Sequence, residues 1–246
     1  MAQSSLSSRW ISPVPARGAR ARLFCFAHAG GGASFFRPWA AALPDHIELC
    51  AVQLPGREQR FAEPCFEALD PLLDALMPVV TPLLDRPFAL FGHSLGALVA
   101  FELARRLEAA GTPPRGLVAS AFRAPHLPAE RLLSGLPERE FVAEIAGLGG
   151  MPGELLGDAE LLETILPALR GDFAMAERYR FAPGPRLTVP VAAMGGGADP
   201  WVSPAALGGW ATHAGAGFRL RLFRGGHFYL VEERNAVIAE LARMFS

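Results

Sequence analysis

The sequence predicts an α/β fold with a mostly parallel central sheet covered by helices on both faces. Three observations predict it. Apolar, strand-like runs alternate with helical runs up to about residue 122 and again from residue 186 onward. The stretch beginning at Phe88, "FALFGHSLGALVAFELARRL", passes from an apolar strand through Gly-His-Ser-Leu-Gly directly into a helical pattern. The 246 residues, 51% of them hydrophobic, are enough for one large domain with a sizeable core.

The elements follow in order. Residues 1 to about 20 are polar with two prolines and read as an extended arm. "RLFCFAHAG" is a buried strand ending in a Gly-rich turn, and "SFFRPWAAALP" a short helix with Ser34 as a plausible N-cap. "IELCAVQLPG" is the second strand, stopped by Pro55-Gly56. Residues 66–86 read as a helix broken or kinked by Pro71, Pro78 and Pro82. "PFALFGHS" is the third strand. It feeds the helix "LGALVAFELARRLEAAG", closed by Gly111. "GLVASAFRAP" is the fourth strand.

From 123 to 185 no strand is apparent, and "PEREFVAEIAGLG" and "DAELLETILPALRGDFAMAERYR" read as helices. This stretch is expected to be a helical lid inserted into a core formed by 1–122 and 186–246. "GLGGMPG", with Gly147, Gly149, Gly150, Pro152 and Gly153, reads either as a hinge of that lid or as an ordinary interhelical loop. Strands resume with "LTVPVAAMGG" and "GFRLRLFRGG", and "ERNAVIAELARMFS" is a last helix.

Composition narrows the function classes. The formal net charge is −1 and no basic stripe appears, which gives nucleic-acid binding no support. All 23 basic residues are arginine, as a GC-rich genome would favour. Three cysteines, Cys25, Cys50 and Cys65, show no Cys-x-x-Cys spacing, so neither a metal site nor a disulfide framework is expected. The N-terminal residues lack the apolar core of a secretory signal, and no apolar run is long enough to span a membrane. A cytoplasmic location in a reducing compartment is expected.

Ser94 is the centre of the chemistry. Gly-x-Ser-x-Gly between a strand and a helix is a nucleophile elbow, in which a strained turn lifts the serine oxygen above the sheet. Gly92 and Gly96 are then small because strand and helix nearly collide. Otherwise the motif is only a glycine-flanked tight turn. The helix N-terminus at Ser94 favours developing negative charge. A serine needs a base, and the base an orienting acid, in the chain order Ser, Asp or Glu, His. Of the six histidines, His227 in "LFRGGHFYL" stands just after the last strand. His126 falls at the start of the lid and His213 in a surface-like segment. Asp199 in "VPVAAMGGGADPWV" is the candidate acid, the alternatives being a turn-capping role for it and Asp172 as the acid. Two backbone N–H donors are needed for an oxyanion hole. Leu95 follows the nucleophile, and Ala29 lies in "FAHAGGG", whose glycines allow close approach. His28, Gly30, His93 and Arg57 are candidate substrate contacts. Packing is the alternative for the histidines. For Arg57, Glu58 and Arg60 in "QLPGREQR", the alternative is an ion pair holding the loop.

"FAHAGGGASFFRPWA", "AVQLPGREQR", "FGHSLGALVAFELARRL", "GADPWV" and "GGHFYL", in this order and at these intervals, resemble the type II thioesterases. These are the free-standing editing enzymes of polyketide and nonribosomal peptide biosynthesis. The resemblance covers nearly the whole chain from residue 20. It implies the α/β-hydrolase fold with a helical lid, and the roles of nucleophile, acid and base for Ser94, Asp199 and His227. It places Ala29 and Leu95 at the oxyanion positions. The implied substrate is an acyl group on the 4′-phosphopantetheine arm of an acyl or peptidyl carrier protein. The enzyme itself is expected to need no cofactor or metal and to be a monomer. A chain-terminating thioesterase, a small-molecule carboxylesterase and an inactive hydrolase-fold scaffold stay open as alternatives.

Overall fold

The structure is a computed structural model and describes residues 9–14, 18–149 and 157–245. Its sheet contains β1 (Ile11–Val14), β2 (Ala21–Phe26), β3 (Ile47–Val52), β4 (Phe88–His93), β5 (Leu117–Ser120), β6 (Val191–Gly196) and β7 (Phe218–Phe223). They run in the spatial order β1-β3-β2-β4-β5-β6-β7. Every pairing is parallel except that of β1 with β3.

Strands β2 and β4 are buried along their whole length and are apolar except for Arg22, which pairs with Glu48 and Asp85, and His93 at the end of β4. The two-residue alternation of a strand sends successive side chains to opposite faces. Leu23 and Cys25 of β2 join Phe36, Trp39 and Phe91 on one face, whereas Phe24 and Phe26 join Leu72, Leu98 and Phe101 on the other. Each such side chain, fully withdrawn from water, contributes about 1.5–3 kcal/mol. Strand β7 is an edge. It is exposed over residues 219–222 and carries Arg219 and Arg221, charges that discourage edge-to-edge pairing.

The helices are α1 (Leu69–Val80), α2 (Leu95–Ala109), α3 (Glu138–Ala146), α4 (Ala159–Arg178), α5 (Pro204–Gly208), α6 (Tyr229–Glu232) and α7 (Arg234–Ala242). Helix α2 leaves the central strand β4 and closes at Gly111, whose φ of +76° suits a residue without Cβ. Asp158 caps α4 by accepting from the Leu161 amide at 3.0 Å. Between β5 and β6 the described residues add no strand to the sheet. Leu133, Phe141, Ile145, Leu166 and Leu169 form a small apolar cluster of their own there. Among the described residues no helix is long and apolar enough to cross a membrane.

Three expectations need correction. The arm contributes a strand, β1, which was hidden by its four-residue length and Pro13; an edge position tolerates the missing N–H. Ser34 caps nothing: Ala33–Trp39 is a 3₁₀ helix preceded by Gly32, and the Ser34 hydroxyl donates to Glu58 instead. The helix expected over 66–86 is shorter. It ends at Val80 and continues as a 3₁₀ turn at Thr81–Leu83. The last helix forms where it was expected, as α7, with the short helix α6 before it. Residues 150–153 of the hinge-like "GLGGMPG" lie outside the described residues.

Candidate active site

Ser94 sits between β4 and α2 with φ +54° and ψ −125°, a conformation that costs free energy for a residue with a Cβ. The flanking glycines make it sterically possible. A Cβ on Gly92 would lie 2.0 Å from the Gly96 carbonyl oxygen. One on Gly96 would lie 2.2 Å from the Phe26 carbonyl oxygen, so the second glycine yields to the end of β2 rather than to β4. The Ser94 amide is held by the Ser120 carbonyl at 2.8 Å.

His227 follows β7, and Asp199 follows β6. Asp199 Oδ2 lies 2.8 Å from His227 Nδ1. Its Oδ1 accepts from the amides of Trp201 and Val202 at 2.8 and 3.2 Å. Asp199 therefore does both things the sequence allowed: it shapes its turn and orients the histidine. Asp172, the other acid considered, pairs with Arg57. His227 is 3% exposed and shares a cavity with Ser94 and Ala29.

The glycine-rich loop after β2 is tethered at four of its amides. Gly30 N–H donates to Asp172 Oδ2 at 2.7 Å, Gly31 N–H to the His28 carbonyl at 2.9 Å, and Ala33 N–H to Gln53 Oε1 at 2.8 Å. Ser34 N–H donates to Glu58 Oε1 at 3.2 Å. Among the described residues, the amides of Ala29 and Leu95 donate to no protein acceptor, and both residues line the cavity at Ser94.

The other candidate contacts divide. The His28 ring lines the cavity at Ser94, edge-on to Phe35 and Phe228 at 4.8 Å each, and Gly30 lines it too. Burial, with a smaller contribution from His227, pushes the His28 pKa down to about 3. His93 is fully buried; its Nδ1 pairs with Ser120 Oγ at 2.9 Å, which in turn pairs with Tyr229 Oη at 2.8 Å. Burial holds His93 well below the usual range. Both rings therefore stay neutral beside His227 and add no charge against a developing imidazolium. Arg57 does not face the cavity. It is 6% exposed, and its guanidinium is taken by Asp172 and the Pro55 carbonyl. Glu58 holds Ser34, and Arg60 pairs with Glu63. His213 is not on the surface: it is 5% exposed, packed against Phe101 and Phe181, with His126 Nδ1 2.8 Å from its Nε2.

A family model for the thioesterase domain matches residues 21–245. The chain belongs to the thioesterase family. Thioesterase PikA5 of Streptomyces venezuelae is 41% identical over 239 residues, covering 96% of this chain and 85% of that protein. A Brevibacillus parabrevis protein named linear gramicidin dehydrogenase LgrE is 41% identical over 94% of this chain and 90% of its own length. That name speaks of another reaction, yet no Gly-x-Gly-x-x-Gly dinucleotide fingerprint occurs in this sequence. The solved type II thioesterase BorB, from the borrelidin biosynthetic cluster, superposes with a TM-score of 0.89 at 42% identity, covering 96% of this chain and 98% of that one.

Two lobes of the thioesterase's cavity meet at Ala29, Ser94, Phe173 and His227. One is walled by Ile145, Leu148, Ile165, Leu169 and Phe228 and is apolar. The other adds charged groups, Arg123, Glu130, Arg131 and Glu177, to Phe122 and Trp201. Sequence reasoning missed this wall. Trp201 lies within "DPWV", but Phe173 and Ile145 carry no motif and are distant in sequence. Among the described residues no group of three or more His, Cys, Asp or Glu side chains is placed to hold a metal.

Proposed function

We propose that this thioesterase is an editing enzyme that hydrolyses stalled or wrongly primed acyl groups from the 4′-phosphopantetheine thiol of acyl or peptidyl carrier proteins. The observation that carries the reading is Ser94 on a strained elbow, opening into a cavity shared with a His227 already oriented by Asp199. The likeness to a type II thioesterase over nearly the full length of both chains supports the substrate class.

In this reading, Ser94 Oγ attacks the thioester carbonyl carbon while His227 Nε2 takes its proton. The carbonyl oxygen, now an anion, is met by the Ala29 and Leu95 amides and the positive end of α2. Collapse expels the pantetheine thiolate, which receives the proton from His227, and leaves an acyl-serine ester. Water, deprotonated by His227, attacks that ester and releases the carboxylic acid and free Ser94. Asp199 keeps His227 in the tautomer that presents Nε2 and stabilises the imidazolium. Phosphopantetheine arrives with the substrate. The apolar lobe suits the acyl chain and the lobe with charged walls suits the polar arm. The described residues of 123–185 act as the lid, lining both lobes.

The reading is tested with a carrier protein loaded with acetyl, propionyl or a full-length chain. Intact-protein mass spectrometry follows loss of the acyl mass. Fast unloading of the short groups is expected. Preference for the full-length chain alone would make the protein a chain-terminating enzyme. Turnover of a nitrophenyl ester with the carrier untouched would make it a carboxylesterase.

A further inference from the structure

The ion pair between Arg57 and Asp172 is buried, yet it joins two segments that the chemistry does not otherwise need to join. Arg57 Nη1 and Nη2 lie 2.5 and 3.1 Å from Asp172 Oδ2 and Oδ1, and the side chains are 6% and 1% exposed. A buried pair of this kind is weak evidence for stability, since apolar residues of similar size often replace it without loss. It does fix orientation. Asp172 Oδ2 also accepts the Gly30 N–H at 2.7 Å, immediately after Ala29. One turn earlier on α4, Leu169 packs against Gly30 so closely that a Cβ there would come within 2.8 Å of Leu169 Cδ1. The other side-chain tethers of this loop, Gln53 and Glu58, come from the segment after β3. Among the described residues, only the Asp172 tether comes from α4.

We propose that Asp172 is a positioning residue: held by Arg57, it seats the Gly30 amide and so sets the adjacent Ala29 N–H, making the oxyanion hole complete only when α4 is docked. The proposal rests on the reading of Ala29 as an oxyanion donor and Ser94 as nucleophile. It gives the lid a part in catalysis distinct from roofing the cavity. A donor displaced by a fraction of an ångström weakens at the transition state, not in the ground state.

Two neutral double variants test it. Arg57→Met with Asp172→Asn keeps a side-chain oxygen for the Gly30 N–H; Arg57→Met with Asp172→Leu removes it. Both lack the buried charges, so a role confined to stability predicts equal activity. On an acylated carrier the Leu pair is expected to show a kcat about tenfold or more below that of the Asn pair, with KM and melting temperature alike. The rate at which a fluorophosphonate labels Ser94 should fall in the same ratio, because its P=O oxygen needs the same donors. That second readout needs no acyl substrate. Labelling that differs between the pairs while no acyl carrier is hydrolysed by any form would keep the positioning role and refute the substrate. Equal kcat and equal labelling, or a difference confined to KM, would overturn the proposal, as would a wild type whose Ser94 is never labelled. If the methionine variants do not fold, Asp172→Glu provides the second reading. It keeps the charge beside Arg57 but displaces the oxygen from Gly30, so kcat should fall with KM held, and wild-type kcat would overturn the proposal.

Discussion

Asp199 divides its carboxylate between two tasks: Oδ2 lies 2.8 Å from His227 Nδ1, while Oδ1 receives the backbone amides of Trp201 and Val202. The turn thereby aims the acid. Asp199→Asn keeps one oxygen, which the two turn amides claim, and presents its NH₂ to His227. The wrong tautomer follows. The expected result is a kcat lower by about 10⁴ with the fold intact, by analogy with the same change in a serine protease triad. Steady-state kinetics on an acyl carrier, beside a circular dichroism spectrum, checks it. A loss of less than about tenfold would remove Asp199 from the mechanism.

The glycines on either side of α2 should answer differently to alanine. Gly92→Ala places a Cβ 2.0 Å from a backbone oxygen that cannot move without moving α2. It should destabilise by more than about 4 kcal/mol or prevent folding. Gly111→Ala meets open space and suffers only its φ of +76°, so about 1 kcal/mol is expected. Urea unfolding of the two variants gives the comparison.

The motif-bearing parts of this fold were legible because their causes are local. The elbow needs two glycines beside Ser94, and the sheet core needs largely apolar runs such as β2 and β4. What escaped depends on distant partners. Arg57 could not reveal that its carboxylate partner stands at Asp172, far along the chain on α4. His213 lies among small residues in "ATHAGAG" and reads as surface, but Phe101, Phe181 and Trp210 enclose it. Strand β1 is four residues long and contains Pro13, so no periodicity could announce it.

Acid should loosen this protein through its histidines. Burial lowers His28 to about 3 and His213 to about 4, and His93 well below its usual range. The unfolded chain protonates these groups near pH 6.5 while the folded chain does not. Their contribution to stability is complete above about pH 6.5 and is lost as the pH falls toward 4, at up to about 1.4 kcal/mol per pH unit for each. His213→Gln should remove one such slope, so its stability falls less steeply than that of the wild type between pH 6 and pH 4.5. Urea midpoints across that range decide it; parallel curves would show that His213 is not held neutral.

The apolar lobe should set chain length. Ile145 lines it with Ile165 and Leu169, in the cavity that Ser94 also lines. Ile145→Trp should leave acetyl unloading within about threefold and cut that of an octanoyl group by tenfold or more, a size penalty of the kind a filled pocket imposes. Equal effects on both chains would place the acyl group in the other lobe.

The most direct test of the central claim is to mix propionyl-loaded carrier protein with the wild type and with Ser94→Ala, and to follow both proteins by intact mass. The account predicts that the carrier loses its propionyl mass only with the wild type, and that brief acid quenching traps a propionyl adduct on Ser94. Unloading by Ser94→Ala at the wild-type rate would contradict it.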